Sequence, residues 1–144
     1  MIEQNGGGGG GGQTLDRNSR DYQILWKTIY AEARGEPEIG QRAVAWVILN
    51  RTKLNRSYWG GNTIAGVCLA PYQFECWNGK SDIIMSETAA RDAIDRWLPS
   101  VFQGSDPSQG SAYYNNPDKE GYPDWTTRVV RSVKIANHQF YKDP

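Results

Sequence analysis

Apolar residues at Tyr22, Leu25, Trp26, Ile29 and Ala33 recur with the spacing of one helical face, and Glu32 falls beside Leu25 and Ile29 at the edge of that stripe. A carboxyl group at such an edge is partly desolvated. Loss of water disfavours the charged form, which is what a carboxyl group needs to serve as a proton donor near neutral pH. The competing reading is a structural glutamate satisfied by a buried partner, for which Arg34, Arg42, Asn50 and Arg51 are the candidates. Glu36 lies one turn later between Gly35 and Pro37, where an acidic side chain suits a helix start better than catalysis.

Two further segments interleave aromatic rings with amides: Pro71-Tyr72-Gln73-Phe74-Glu75-Cys76-Trp77-Asn78 and Ala112-Tyr113-Tyr114-Asn115-Asn116-Pro117. Rings stack on the apolar faces of sugars, and amides bond hydroxyl and acetamido groups. Six Trp and eight Tyr against three Phe is a bias toward rings with a polar tip, which suit wet, half-open grooves. Any one of these rings could instead close a small core over loops. Two such segments plus a desolvated glutamate are better explained jointly, by a glycan groove.

Other chemistries are thinned out by composition. The single histidine, His138, excludes a multi-histidine zinc site, and Cys68 and Cys76 have no metal-ligand spacing, so no metal or cofactor is expected. A Cys-His nucleophilic pair is disfavoured because apolar neighbours raise thiol pKa values; the two cysteines could equally form a disulfide in an oxidising setting. The polyglycine run Gly6 to Gly12 lacks the Lys and Ser or Thr of a phosphate loop. Sixteen basic side chains cancel sixteen acidic ones, leaving no net field to hold a nucleic acid. No apolar run approaches the ~20 residues of a membrane span, and the start of the chain does not look like a secretion signal.

The elements that must position these residues can be read along the chain of 144 residues. Residues 1–18 are polyglycine and polar neighbours, expected to form a flexible tail or linker, and 19–144 a single domain. Ser19 should cap the first helix, which Gly35 and Pro37 end; a second helix is expected over about Glu38 to Asn55, apolar on every side from Ala43 to Leu49 and therefore central. A turn at Gly60-Gly61-Asn62, a short helix over Thr63 to Leu69, and extended or looped chain over Pro71 to Asn78 follow. Ser86 should cap a further helix that Pro99 ends, and the stretch Gln103 to Asp124 should be mostly loop, with a strand at Ser111 to Tyr114. Alternation over Val129 to Ile135, followed by His138 to Tyr141, suggests a small hairpin.

Thr28-Ile29-Tyr30-Ala31-Glu32-Ala33-Arg34-Gly35-Glu36-Pro37, followed by Gly40-Gln41-Arg42-Ala43-Val44-Ala45-Trp46-Val47-Ile48-Leu49-Asn50-Arg51, closely resembles the opening motif of the SleB-like cell wall hydrolases. That family includes the catalytic domain of spore cortex-lytic enzymes and related phage and bacterial proteins. The likeness continues through Asn62 to Val67, Gln73 to Trp77 and Ala112 to Pro117, and ends at Lys134-Ile135-Ala136-Asn137-His138-Gln139-Phe140-Tyr141.

The resemblance implies an α+β, mainly α, lysozyme-like domain with a small β portion, related to lytic transglycosylases and acting on peptidoglycan. It implies that Glu32 is the catalytic acid, the residue the helical wheel singles out independently. It also implies that Gln73, Phe74, Tyr114 and Asn116 line the cleft; Glu36, Trp77 and Trp125 complete the candidate substrate contacts. Two positions depart from the family's pattern, which usually has Gly where Ala31 and Ala136 stand. A lytic transglycosylase needs one carboxyl group, whereas a retaining or inverting muramidase would pair it with a second, for which Glu36, Glu38 and Glu75 are the nearest guesses. A non-catalytic glycan-binding module of the same fold is the alternative from another class. The expected setting is a monomer at the cell wall, outside the cell or delivered by phage.

Overall fold

The computed structural model describes residues 14–144. Helix α1 (Arg20–Ala33) begins as expected, because the Ser19 hydroxyl accepts the Tyr22 backbone N–H at 3.1 Å and satisfies a donor the first turn leaves open. Its face of Tyr22, Leu25, Ile29 and Ala33 is buried. Helix α2 (Glu38–Leu54) passes through the centre of the core, with every residue from Ala43 to Leu49 buried, as its all-round apolar sequence requires. Pro37 occupies its N-cap, and Asn55 closes it in the left-handed conformation at φ 50°.

Helix α3 (Ile64–Leu69) packs against both α1 and α2, capped by Thr63, whose hydroxyl accepts the Gly66 N–H at 3.0 Å. The turn before it requires glycine. Gly60 has φ +92°, and a Cβ there would lie 2.0 Å from the Gly66 carbonyl oxygen.

Helix α4 (Thr88–Trp97) corrects the expected cap: Glu87, not Ser86, occupies the N-cap, and it makes no side-chain cap. Tertiary contacts hold this end instead, since the Glu87 backbone N–H donates to the Tyr30 hydroxyl at 2.9 Å and its carboxylate pairs with Arg34 at 2.8 Å. Nor does Pro99 stop the chain's helical course, which continues as a 3-10 helix over Leu98–Gln103. A proline in the first turn of a new helical segment has no N–H to lose there.

The stretch Gln103 to Asp124, expected to be mostly loop, contains one short helical turn, α5 (Pro117–Glu120), and a 3-10 turn over Asp124–Arg128 follows at its end. Three antiparallel strands form the sheet in the order β1-β3-β2, namely β1 (Tyr113–Asn115), β2 (Val130–Ile135) and β3 (His138–Lys142). The expected hairpin is β2 and β3, with a bulge between Arg131 and Val133. The expected strand at Ser111 to Tyr114 is displaced to β1, which pairs Tyr114 with Phe140. The architecture is the mainly helical α+β arrangement with a small β portion that the sequence suggests.

Leu15 is buried and its backbone N–H donates to the Pro99 carbonyl at 2.8 Å, while Arg17 pairs with Asp95 at 2.9 Å. Among the described residues the chain is thus already packed against the domain at Leu15, within the span 1–18 expected as tail or linker. Residues 1–13, with the polyglycine run, lie outside the described residues. Among the described residues no helix is long and apolar enough to cross a membrane.

Candidate active site

Glu32 stands in the last turn of α1, half-buried, on the wall of a groove of about 520 Å³ between the helices and the sheet. Its partner is not a cation. The Tyr114 hydroxyl, brought by β1, donates to Glu32 Oε1 at 2.6 Å. Each of the four candidate structural partners is engaged elsewhere. Arg34 pairs with Glu87 and Arg42 with Glu38. Asn50 donates to Asp106 and to the Ser111 carbonyl. Arg51 donates to the Ala112 carbonyl and to Gln73. The carboxyl group is thus oriented by a neutral donor, with no guanidinium or ammonium bonded to it among the described residues.

Tyr114 is a dependable donor. Burial of its hydroxyl, and then the Glu32 carboxylate beside it, push its pKa well above the ordinary tyrosine value, so the phenol stays protonated across the neutral range. Its ring packs 4.9 Å from His138 and 5.7 Å from Phe140, centroid to centroid, which fixes the hydroxyl's aim. His138 also lines the groove; burial lowers its pKa against the opposing pull of Glu36, Glu32 and Glu120, so the imidazole is neutral near pH 7. The cysteines are free thiols. Burial raises Cys68 to about 12 and raises Cys76, which also feels the Glu32 charge, further still, so neither supplies a thiolate nucleophile.

Gln73, Phe74, Tyr114, Asn116 and Trp125 line the same groove as Glu32. Asn116 has a second task, capping α5 by accepting the Asp118 and Lys119 backbone N–H groups at 3.1 and 3.3 Å. Two of the candidates are placed elsewhere. Trp77 is buried, and its indole N–H donates to the Thr28 hydroxyl at 2.9 Å inside the core, because a Trp so close to α1 satisfies its donor inward. Glu36 neither caps α2 nor lines the groove. Its carboxylate accepts the Asn137 backbone N–H at 3.3 Å and side-chain N–H at 2.9 Å, clamping the β2–β3 turn to the end of α1.

The groove continues past Gln73 into a second lobe of about 480 Å³, walled by Trp59, Tyr113, Trp125 and Arg128. Arg51, Tyr72, Gln73, Tyr114 and Trp125 form the shared wall. Tyr72 is 86% exposed and holds φ 63°, a conformation a non-glycine residue adopts at a cost, which sets its ring on the rim. Of the acids weighed as second carboxylates, Glu75 lines the groove, whereas Glu38 is tied to Arg42 on the outside. Arg51, Tyr72 and the groove acid Glu120 escaped attention as site residues; for Tyr72 the aromatic and amide interleaving was the available signal.

The profile of the family described as Cell Wall Hydrolase matches residues 35–141, beginning just after Glu32. The spore cortex-lytic enzyme of Halalkalibacterium halodurans is 41% identical over 124 residues, covering 85% of this chain and 35% of that protein. The enzyme of the same name from Bacillus subtilis is 36% identical over 124 residues, covering 85% and 38%. The chain therefore spans well under half the length of these relatives. Among solved structures, the catalytic domain of the Bacillus cereus SleB protein superposes with a TM-score of 0.66 at 34% identity, covering 95% of this chain and all of that one. The catalytic domain of the germination-specific lytic transglycosylase SleB from Bacillus anthracis gives a TM-score of 0.60 at 33% identity, over 89% of this chain and all of that one. With a matching profile over most of its length and a shared mainly helical, lysozyme-like fold, the chain belongs to the cell wall hydrolase family.

Proposed function

We propose that this domain cleaves the glycan strands of peptidoglycan between N-acetylmuramic acid and N-acetylglucosamine as a lytic transglycosylase, acting as a monomer at the cell wall. The observation that carries the reading is the Glu32 carboxyl group in an open groove, oriented by the Tyr114 hydroxyl at 2.6 Å and free of any ion pair among the described residues. The lytic transglycosylase description of the Bacillus anthracis domain, matched along its full length, supports it.

Glu32 in its protonated form donates to the glycosidic oxygen as the bond to muramyl C1 breaks. As a carboxylate it then takes the proton of the muramyl C6 hydroxyl, whose oxygen attacks C1 and closes a 1,6-anhydro ring. The tethered hydroxyl outcompetes water because its effective concentration is very high, commonly many molar. A hydrolytic muramidase is the second reading, favoured by Glu75 and Glu120, which line the same groove and could hold a water. Weighing the muramyl-terminated fragments of a peptidoglycan digest decides between them, since an anhydro end is lighter than a reducing end by one water. Dominant anhydro ends are expected; exclusively hydrated ends would replace the transglycosylase reading with the muramidase one.

A further inference from the structure

Arg51, on α2, is 8% exposed and has no carboxylate partner among the described residues. Its Nε donates to the Ala112 carbonyl at 2.8 Å and its Nη1 to Gln73 Oε1 at 3.0 Å, while its face lies 4.4 Å from the centroid of the Trp59 ring. Burial lowers its pKa to about 10, which still leaves it charged at neutral pH. A guanidinium has only donors. The Gln73 amide must therefore show Arg51 its oxygen, and its Nε2, on the other side of the amide, is left without a protein partner among the described residues. Gln73 lies on the wall shared by both lobes of the groove.

An amide held this way turns its oxygen toward Arg51 and leaves two N–H donors of Nε2 unpaired among the described residues. It suits a carbonyl oxygen, and on a peptidoglycan glycan strand the acetamido carbonyl is the neutral carbonyl acceptor that every N-acetylated sugar carries, a stronger acceptor than the ether oxygens of the rings and linkages. The unpaired charge of Arg51 adds a repulsive element against a sugar that carries a free ammonium in place of the acetamido group. Attraction and repulsion point to the same discrimination.

We propose that Gln73, its amide orientation locked by Arg51, selects N-acetylated over N-deacetylated sugars by donating from Nε2 to the acetamido carbonyl oxygen. The proposal rests on the peptidoglycan reading above and names what that groove distinguishes. Gln73 is here a specificity-determining residue and Arg51 its positioning residue.

Binding tests this without cleavage. In the Glu32→Gln protein, affinity is measured for peptide-free glycan strands and for the same strands chemically N-deacetylated. The acetylated strands should bind at least ~10-fold more tightly, the scale of a lost hydrogen bond together with an uncompensated charge. Adding Gln73→Glu, which keeps the shape and pairs with Arg51, should erase or invert that preference, because an acceptor oxygen then faces the groove. Adding Gln73→Met, a neutral side chain of similar length, should weaken binding of the acetylated strands alone. Equal weakening of both strands by both substitutions, with melting temperatures unchanged, would overturn the proposal. Failure of the Glu32→Gln protein to bind either strand would instead overturn the peptidoglycan reading on which it rests.

Discussion

The Tyr114 hydroxyl on β1 donates to Glu32 Oε1 at the end of α1 over 2.6 Å, joining residues 82 positions apart. This bond ties the small sheet to the helical body at the point where the groove opens. Oε1 is occupied by a neutral donor, and the other carboxyl oxygen has no N–H or O–H partner among the described residues. A carboxyl group held by a neutral hydroxyl, with the Cys76 thiol as a further neutral neighbour, can pass a proton without breaking an ion pair first.

Glu32→Gln should abolish cleavage while leaving the fold intact. The amide occupies the same space and can still accept from Tyr114, but it has no proton to give. Turnover should fall by roughly 10² to 10⁴, the usual scale for a general acid. Release of soluble fragments from purified peptidoglycan measures it, and wild-type turnover in a folded Glu32→Gln protein would remove Glu32 from the acid's role.

Tyr114→Phe should be milder and informative. The ring's packing against His138 and Phe140 is retained and only the hydroxyl is lost. A hydrogen bond to a charged group contributes about 1.5 kcal/mol or more, so turnover should drop about 10-fold or somewhat beyond, with little change in melting temperature. If single-turnover kinetics show no change, the hydroxyl does not orient the acid.

The sequence made the place of Glu32 at the edge of the buried face legible because one long helix carries both the carboxyl group and the apolar stripe, and periodicity is local information. The central placement of α2 was legible for the same reason. Arg51 was readable only as a possible partner for Glu32, since its actual partners, the Ala112 carbonyl and Gln73, come from distant segments. Trp77 illustrates the limit of residue type: an indole suits a sugar groove and a core equally, and only the Thr28 hydroxyl facing it decides. The turn at α5 is too short for periodicity to reveal, although Asn116 before Pro117 is a helix-start signature that was there to be used.

Glu36→Ala should destabilise the protein by about 1 kcal/mol and lower its melting temperature by a few degrees, with cleavage changed only a few-fold. Its carboxylate holds Asn137, next to Ala136, which adopts φ 49°. That left-handed conformation is strained for alanine and relaxed for glycine. Ala136→Gly should accordingly offset part of the loss in the Glu36→Ala background. A loss of cleavage as complete as that of Glu32→Gln, in a folded protein, would instead point to a two-carboxylate hydrolase.

Asp143 supplies a pH dependence that can be worked out in sign. Arg56 donates to it at 2.5 Å and the Tyr113 hydroxyl at 2.7 Å, and these bonds to the charged form hold its pKa below the ordinary 3.8. A carboxyl group whose pKa is depressed by folding contributes stability above its ordinary value and loses it as the pH falls through the folded value. Asp143→Asn should therefore lower stability near pH 7, and the difference from wild type should shrink below about pH 4 and disappear once wild-type Asp143 is protonated. The pair is about a third exposed, with side-chain exposures of 28% and 35%, so the effect near pH 7 should be at most about 1 kcal/mol and smaller still at high salt. Urea midpoints of the two proteins across this range provide the measurement. Because Tyr113 also walls the second lobe, acid should loosen that wall before it reaches the core; a midpoint difference that stays constant down to pH 2 would show that the Asp143 charge does not hold it.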